Sequence, residues 1–145
     1  MERVIVDGYN VIHAWPQLKR LLVDASLEAA RDTLIERLSV FGNVVGSDVT
    51  VVFDAHRSAA RTNSEAVVEG VHVIFTRKGH SADRVIEKIA YNAAQVGDVI
   101  TVATSDRVQG DLVRGMGGAV ITALELERRV VDAEAELGRR VQRYQ

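Results

Sequence analysis

Cysteine is absent from this chain, and proline and tryptophan occur once each among its 145 residues. Without cysteine there are no disulfides, no thiolate metal ligands and no cysteine nucleophile. A reducing cytoplasm is compatible with that composition and is the expected location. Long apolar runs are missing too: nothing approaches the roughly eighteen residues of a membrane span, so no membrane segment is expected. The N-terminus enters a β-type run at once, without the basic and apolar leader of an export signal. An excess of positive charge is also lacking. Eighteen Lys and Arg against twenty Asp and Glu leave a formal charge of −2. That rules out whole-molecule attraction to a polyanion, so any such contact must use a local basic surface.

What is present reads as one domain of ordinary size, residues 1–145. The apolar fraction is 47% and the charged fraction 26%, and no repeat, linker or low-complexity segment divides the chain. Strands are expected at 3–6, 49–53, 71–75, 99–103 and 119–121. Leu27, Ala30, Leu34, Leu38 and Phe41 form a helical stripe that ends near Gly42. Val85, Ile86, Ile89, Ala90 and Ala93 supply the buried face of a helix over 82–94, with Ser81 as its cap. A short helix is expected over 107–114. Thr122 and Glu125 fit a capping box that opens a last helix, whose charged end, 134–143, reads as solvated or frayed. The stretch 11–22, which holds Pro16, reads as a loop with a short helix at 17–22, and 55–66 reads as a polar loop. Strands alternating with helices predict an α/β fold with a parallel sheet covered on both faces.

Three of the expected strands end in aspartate. Val4-Ile5-Val6 runs into Asp7-Gly8-Tyr9-Asn10, the second strand into Asp54, and the fourth through Thr104 into Ser105-Asp106. The carboxyl ends of parallel strands are where open α/β sheets carry their chemistry, and neighbouring strands lie only about 4.8 Å apart. Gly8 would allow a sharp exit turn, and Asn10 would point back over the same crevice. Asp83, in the first turn of the 82–94 helix, joins the set. Clustered carboxylates repel, so either some hold a proton or a divalent cation sits among them. Oxygen ligands without cysteine or paired histidine suit Mg²⁺ or Mn²⁺, one or two ions. For each aspartate alone, capping or loop solvation is the competing role; Ser105 has the same alternative as a helix cap, and Asn10 as a turn residue.

Arg57, Arg61, Arg77, Lys78, Arg84 and Arg107 fall on the connections beyond the strand carboxyl ends or at the helix starts that follow, where they would form the local basic rim that a polyanion needs; a solvated loop face is the competing reading. His56 and His80 lie in loops near the site, while His13 and His72 read as structural. Tyr9 and Trp15 are candidates either for base stacking or for the core.

The segments Val-Asp-Gly-Tyr-Asn (6–10), Val-Phe-Asp (52–54), Thr-Arg-Lys-Gly-His-Ser-Ala-Asp (76–83) and Ala-Thr-Ser-Asp (103–106) resemble the YacP-like branch of the NYN domains, relatives of the PIN and FLAP nucleases. The resemblance runs from the first strand to the start of the last helix. It implies a PIN-like three-layer α/β/α sandwich with strand order 3-2-1-4-5. It also implies metal-dependent endonuclease activity on RNA, including messenger RNA in translation, with the ribosome as a partner. The family's acidic pocket falls on Asp7, Asp54, Asp83 and Asp106, supported by Asn10 and Ser105. Water activated by the cation would attack the phosphodiester in line and leave a 5′-phosphate and a 3′-hydroxyl. Two departures stand out: His80 occupies a place where the family carries an acidic residue, and the 55–66 loop matches no family pattern.

Other acidic-pocket folds fail on spacing. A haloacid-dehalogenase phosphatase needs a second aspartate at position 9, which is Tyr9, and a response-regulator receiver needs a lysine where Thr122 stands. No Gly-x-x-x-x-Gly-Lys loop is present. The remaining alternatives are a catalytically idle PIN-like module that binds RNA or the ribosome, and a PIN-type toxin with a partner antitoxin.

Overall fold

The first strand gives way to a helix with no loop between them. In the computed structural model, which describes residues 1–54, 64–77 and 81–144, β1 (Glu2–Asp7) is followed directly by α1 (Gly8–Ala14). Then come α2 (Pro16–Asp24), α3 (Leu27–Val45), β2 (Asp48–Phe53), β3 (Ser64–Val68) and β4 (Val71–Phe75). The chain continues through α4 (Ala82–Gln95), β5 (Val99–Ala103), α5 (Arg107–Gly115), β6 (Ala119–Ile121) and α6 (Ala123–Gln142).

The six strands form one sheet in the order β3-β4-β2-β1-β5-β6. Five are mutually parallel, and β3 pairs antiparallel with β4. Setting β3 aside, the order is the expected 3-2-1-4-5. β1 lies at the centre, with Val6 paired to Val51 on one side and to Ala103 on the other. Because side chains alternate across a strand, β1 sends Val4 and Val6 to one face and Ile5 to the other. The first face packs under α1, α2, α3 and α6 through residues such as Leu34, Leu38, Leu126 and Val130. The second packs under α4 and α5 through Val52, Ile86, Val102 and Val113. The result is the expected three-layer α/β/α sandwich.

Three local expectations need correction. The stretch 11–22, expected as a loop with a short helix at 17–22, lies in two helices, α1 and α2, either side of Trp15. Pro16 starts α2 instead of interrupting it, because its missing N–H and fixed φ suit the first helical position. The 55–66 segment is not all loop: Ser64–Val68 is an edge strand, and 55–63 lies outside the described residues. Its hairpin turn is Glu69-Gly70, with φ of 50° and 84°, the left-handed pair that a two-residue turn of the primed type requires. The third concerns α3, which passes Gly42 and ends at Val45, where Gly46 at φ 72° closes it. α6 also continues through the charged segment to Gln142.

Candidate active site

Each acidic candidate is placed by a backbone element rather than by a long side chain. Asp7 is the last residue of the central strand and stands at the start of α1. Gly8 follows it not for an exit turn, as the sequence suggested, but because the Phe53 ring occupies the space a Cβ would fill. Asp54 leaves β2 one residue later. It accepts a long hydrogen bond from the Thr76 hydroxyl at 3.5 Å and another from the backbone N–H of Ala82 at 3.4 Å. Asp83 sits in the first turn of α4, whose cap is Ser81, accepting from Arg84 N as expected.

Asp106, not Ser105, caps α5: its carboxylate accepts from Gln109 N at 2.9 Å, and its own N–H is donated to the Thr104 hydroxyl at 3.1 Å. Ser105 is free for another task. Its Oγ accepts from Asn10 Nδ2 at 2.6 Å, which ties the end of β1 to the end of β5.

These residues meet at the carboxyl edge of the sheet. Asp7, Tyr9, Asn10, His13, Asp54, Ser81, Ala82 and Asp83 line one open cavity of about 490 Å³. Asp106 adjoins it closely enough to act on both Asp7 and Asp83. The Asp7 carboxyl is raised from 3.8 to about 6: burial is the largest cause, the backbone N–H of Asn10 opposes it, and the charges of Asp83, Asp54 and Asp106 add to the rise. Burial also raises Asp83, as do the charges of Asp106 and Asp54 and a hydrogen bond with Asp106, while Gln109 pulls it down. Four carboxylates therefore share one field, and two resist ionisation because of it.

The donors are carboxylate, amide and hydroxyl oxygens in a chain without cysteine, a chemistry that matches a hard divalent cation. Among the described residues, no three acidic or imidazole side chains stand close enough together to share one ion.

Of the basic rim, Arg77 is half-buried after β4, and Arg84 and Arg107 are exposed at the starts of α4 and α5. Arg57, Arg61, Lys78, His56 and His80 lie outside the described residues. Trp15 is a core residue, fully buried and bonded through Nε1 to the Ala123 carbonyl at 2.7 Å, so it does not stack on bases. His72 faces Asp48 at 3.3 Å, a structural position. His13 was misjudged: it is exposed and lines the acidic cavity. Arg31 was not foreseen either; it stacks over Phe75 and donates to the Tyr9 hydroxyl at 3.3 Å, which fixes that ring beside the cavity. Nor was Gln109, a polar residue in a helix with no motif to mark it.

The model of the YacP-like NYN domain matches residues 4–145. The chain belongs to the YacP-like NYN domain family. It is 40% identical over 143 residues to the uncharacterized protein YacP of Bacillus subtilis (strain 168), covering 99% of this chain and 83% of that protein. The crystal structure of Rae1 (YacP) from Bacillus subtilis superposes with a TM-score of 0.81 at 38% identity, covering 99% of this chain and 82% of that one. A tryptophan-to-leucine mutant of the same protein gives 0.82 at 40% identity, with 99% and 84% coverage. The fold of this NYN domain is thus PIN-like, the architecture of a nuclease family. No helix among the described residues is long and apolar enough to cross a membrane.

Proposed function

We propose that this NYN domain is a metal-dependent endoribonuclease that cuts single-stranded RNA, with the acidic cavity as its active site. The observation that carries the reading is the electrostatic one. Asp7, Asp54 and Asp83 line one cavity and Asp106 adjoins it, and burial with mutual repulsion brings Asp7 to about 6. A fold gains no stability from such crowding, and a divalent cation is what relieves it.

Asp7, Asp83 and Asp106 would hold one or two Mg²⁺ or Mn²⁺ ions, no more than two acidic side chains to an ion among the described residues, with Asp54 contributing directly or through water. The bound cation supplies Lewis acidity to the phosphodiester and lowers the pKa of a water for in-line attack. Asn10, its side chain locked to Ser105 and its backbone N–H turned to the Asp7 carboxylate, would orient the strand end. Arg77 and Arg107, with Arg57, Arg61 and Lys78, would carry the RNA phosphates. The 2′-hydroxyl has no part in this chemistry, so the products are a 5′-phosphate and a 3′-hydroxyl; a 2′,3′-cyclic phosphate end would refute the mechanism. Messenger RNA as substrate, the ribosome as its presenter and the cytoplasm as the location belong to the same proposal.

One observation favours a second reading, a module that binds RNA without cutting it: among the described residues, no three acidic or imidazole side chains converge on one ligand position. Labelled single-stranded RNA incubated with Mn²⁺ or Mg²⁺ separates the two. The enzyme reading expects cleavage that disappears both in EDTA and in Asp106→Asn, a substitution that retains a good helix cap. RNA that binds but stays intact, free or on translating ribosomes, establishes the module instead.

A further inference from the structure

Gln109 is 1% exposed, yet its side chain is fully polar. It occupies the third position of α5, three residues after the cap Asp106. In a reciprocal capping box a glutamine there turns back to the cap residue's own N–H. That N–H is already given to the Thr104 hydroxyl. The Gln109 side chain instead crosses to α4, where Nε2 lies 3.2 Å from the Asp83 carbonyl and 3.3 Å from Asp83 Oδ1. Meanwhile Gln109 N holds Asp106 Oδ1 at 2.9 Å. One residue therefore restrains two carboxylates from different helices. The amide orientation is fixed, because its reverse would set an oxygen against two oxygens. The remaining atom, Oε1, is buried without a hydrogen-bond partner among the described residues. A leucine or methionine of similar volume would fill the site without leaving that atom unsatisfied, so the glutamine is not there for packing.

We propose that Gln109 is a positioning residue that sets the Asp83 carboxylate, beside Asp106, for a divalent cation. The inference rests on the metal-dependent reading of the cavity. It follows from the general behaviour of metal sites, where groups that orient the ligands govern affinity nearly as strongly as the ligands themselves.

The test is Mn²⁺ binding to the full chain, followed by the electron spin resonance of the free ion, beside the melting temperature in EDTA. Gln109→Met keeps the volume and removes the amide. It is expected to melt near the wild-type temperature while its Mn²⁺ dissociation constant rises about tenfold to a hundredfold. In an Asp83→Ala background the same substitution is expected to change Mn²⁺ affinity by less than about twofold, because Gln109 acts through Asp83. A purely structural glutamine would move the melting temperature and show no such dependence on Asp83. Unchanged Mn²⁺ affinity in Gln109→Met, with the wild type binding normally, overturns the inference and leaves the cavity reading intact. Absence of Mn²⁺ binding by the wild type overturns both.

A second measurement needs no variant. In the wild-type protein titrated with Mg²⁺, the Gln109 side-chain amide signals are expected to shift saturably. Signals that stay fixed while those of Asp106 shift overturn the inference.

Discussion

Asn10 and Ser105 are 95 positions apart in sequence and 2.6 Å apart in space, amide nitrogen to hydroxyl oxygen. That bond joins the two strand ends that carry Asp7 and Asp106. Its loss should therefore be felt in catalysis more than in stability. Asn10→Ala is expected to lower kcat by about tenfold to a hundredfold while costing about 1 kcal/mol of stability or less, the usual worth of one hydrogen bond. Ser105→Ala should give part of the same loss, and the double variant no more than Asn10→Ala alone. Additive losses in single-turnover cleavage would show that the two residues act separately.

The raised Asp7 carboxyl predicts a pH dependence of the metal-free protein. Its folded-state value of about 6 exceeds the ordinary 3.8. Between these values the unfolded chain has released the proton and the folded chain still holds it, so stability falls as pH rises. The loss is complete above about pH 6. Asp7→Asn removes it and should stabilise the protein at pH 8 in EDTA by about 1–2 kcal/mol, somewhat less than the full shift because the cavity is open to solvent. At pH 4 the substitution should change little. Thermal melts at the two pH values check the sign.

Gly8 should not tolerate a side chain. Gly8→Ala drives a methyl group into the Phe53 ring and is expected to cost about 1–3 kcal/mol, as overpacked sites do. Phe53→Leu, which makes room, should restore part of that loss when combined with it. Chemical denaturation of the two single variants and the pair measures the recovery.

Trp15 separates core from contact surface. Trp15→Phe removes the indole hydrogen bond to the Ala123 carbonyl and part of a fully buried side chain, and should destabilise the fold by about 1–3 kcal/mol. RNA affinity measured on the folded fraction should stay at the wild-type value. A drop in affinity without a drop in stability would return Trp15 to the binding surface.

The parallel framework was legible because its strands are buried on both faces and read as unbroken β-branched runs ending in aspartate, as at Val4-Ile5-Val6-Asp7. The elements that escaped had weaker or conflicting signals. Gly8 and Asn10 are turn formers by composition, yet α1 forms there because Val11 and Ile12 find a place in the core. β3 has no buried residue, so no alternation marked it; only Glu69-Gly70 between valines hinted at the hairpin. Within the candidate site, Asp7, Asp54 and Asp106 could be read from strand ends and Asp83 from a helix start, but Gln109 could not be read. Its role depends on which N–H the Thr104 hydroxyl takes, a choice made only in three dimensions.

The direct passage from β1 into α1 bears on how this cavity can move. Amide hydrogens of a central strand exchange with solvent only when much of the molecule opens. Asp7 is the end of such a strand, so its position is as durable as the fold itself. The opposite wall, where Asp83 sits in the first turn of α4, is held instead by the bond that Gln109 sends across from α5. One wall is thus lost only with the sheet, the other with the contact between α4 and α5.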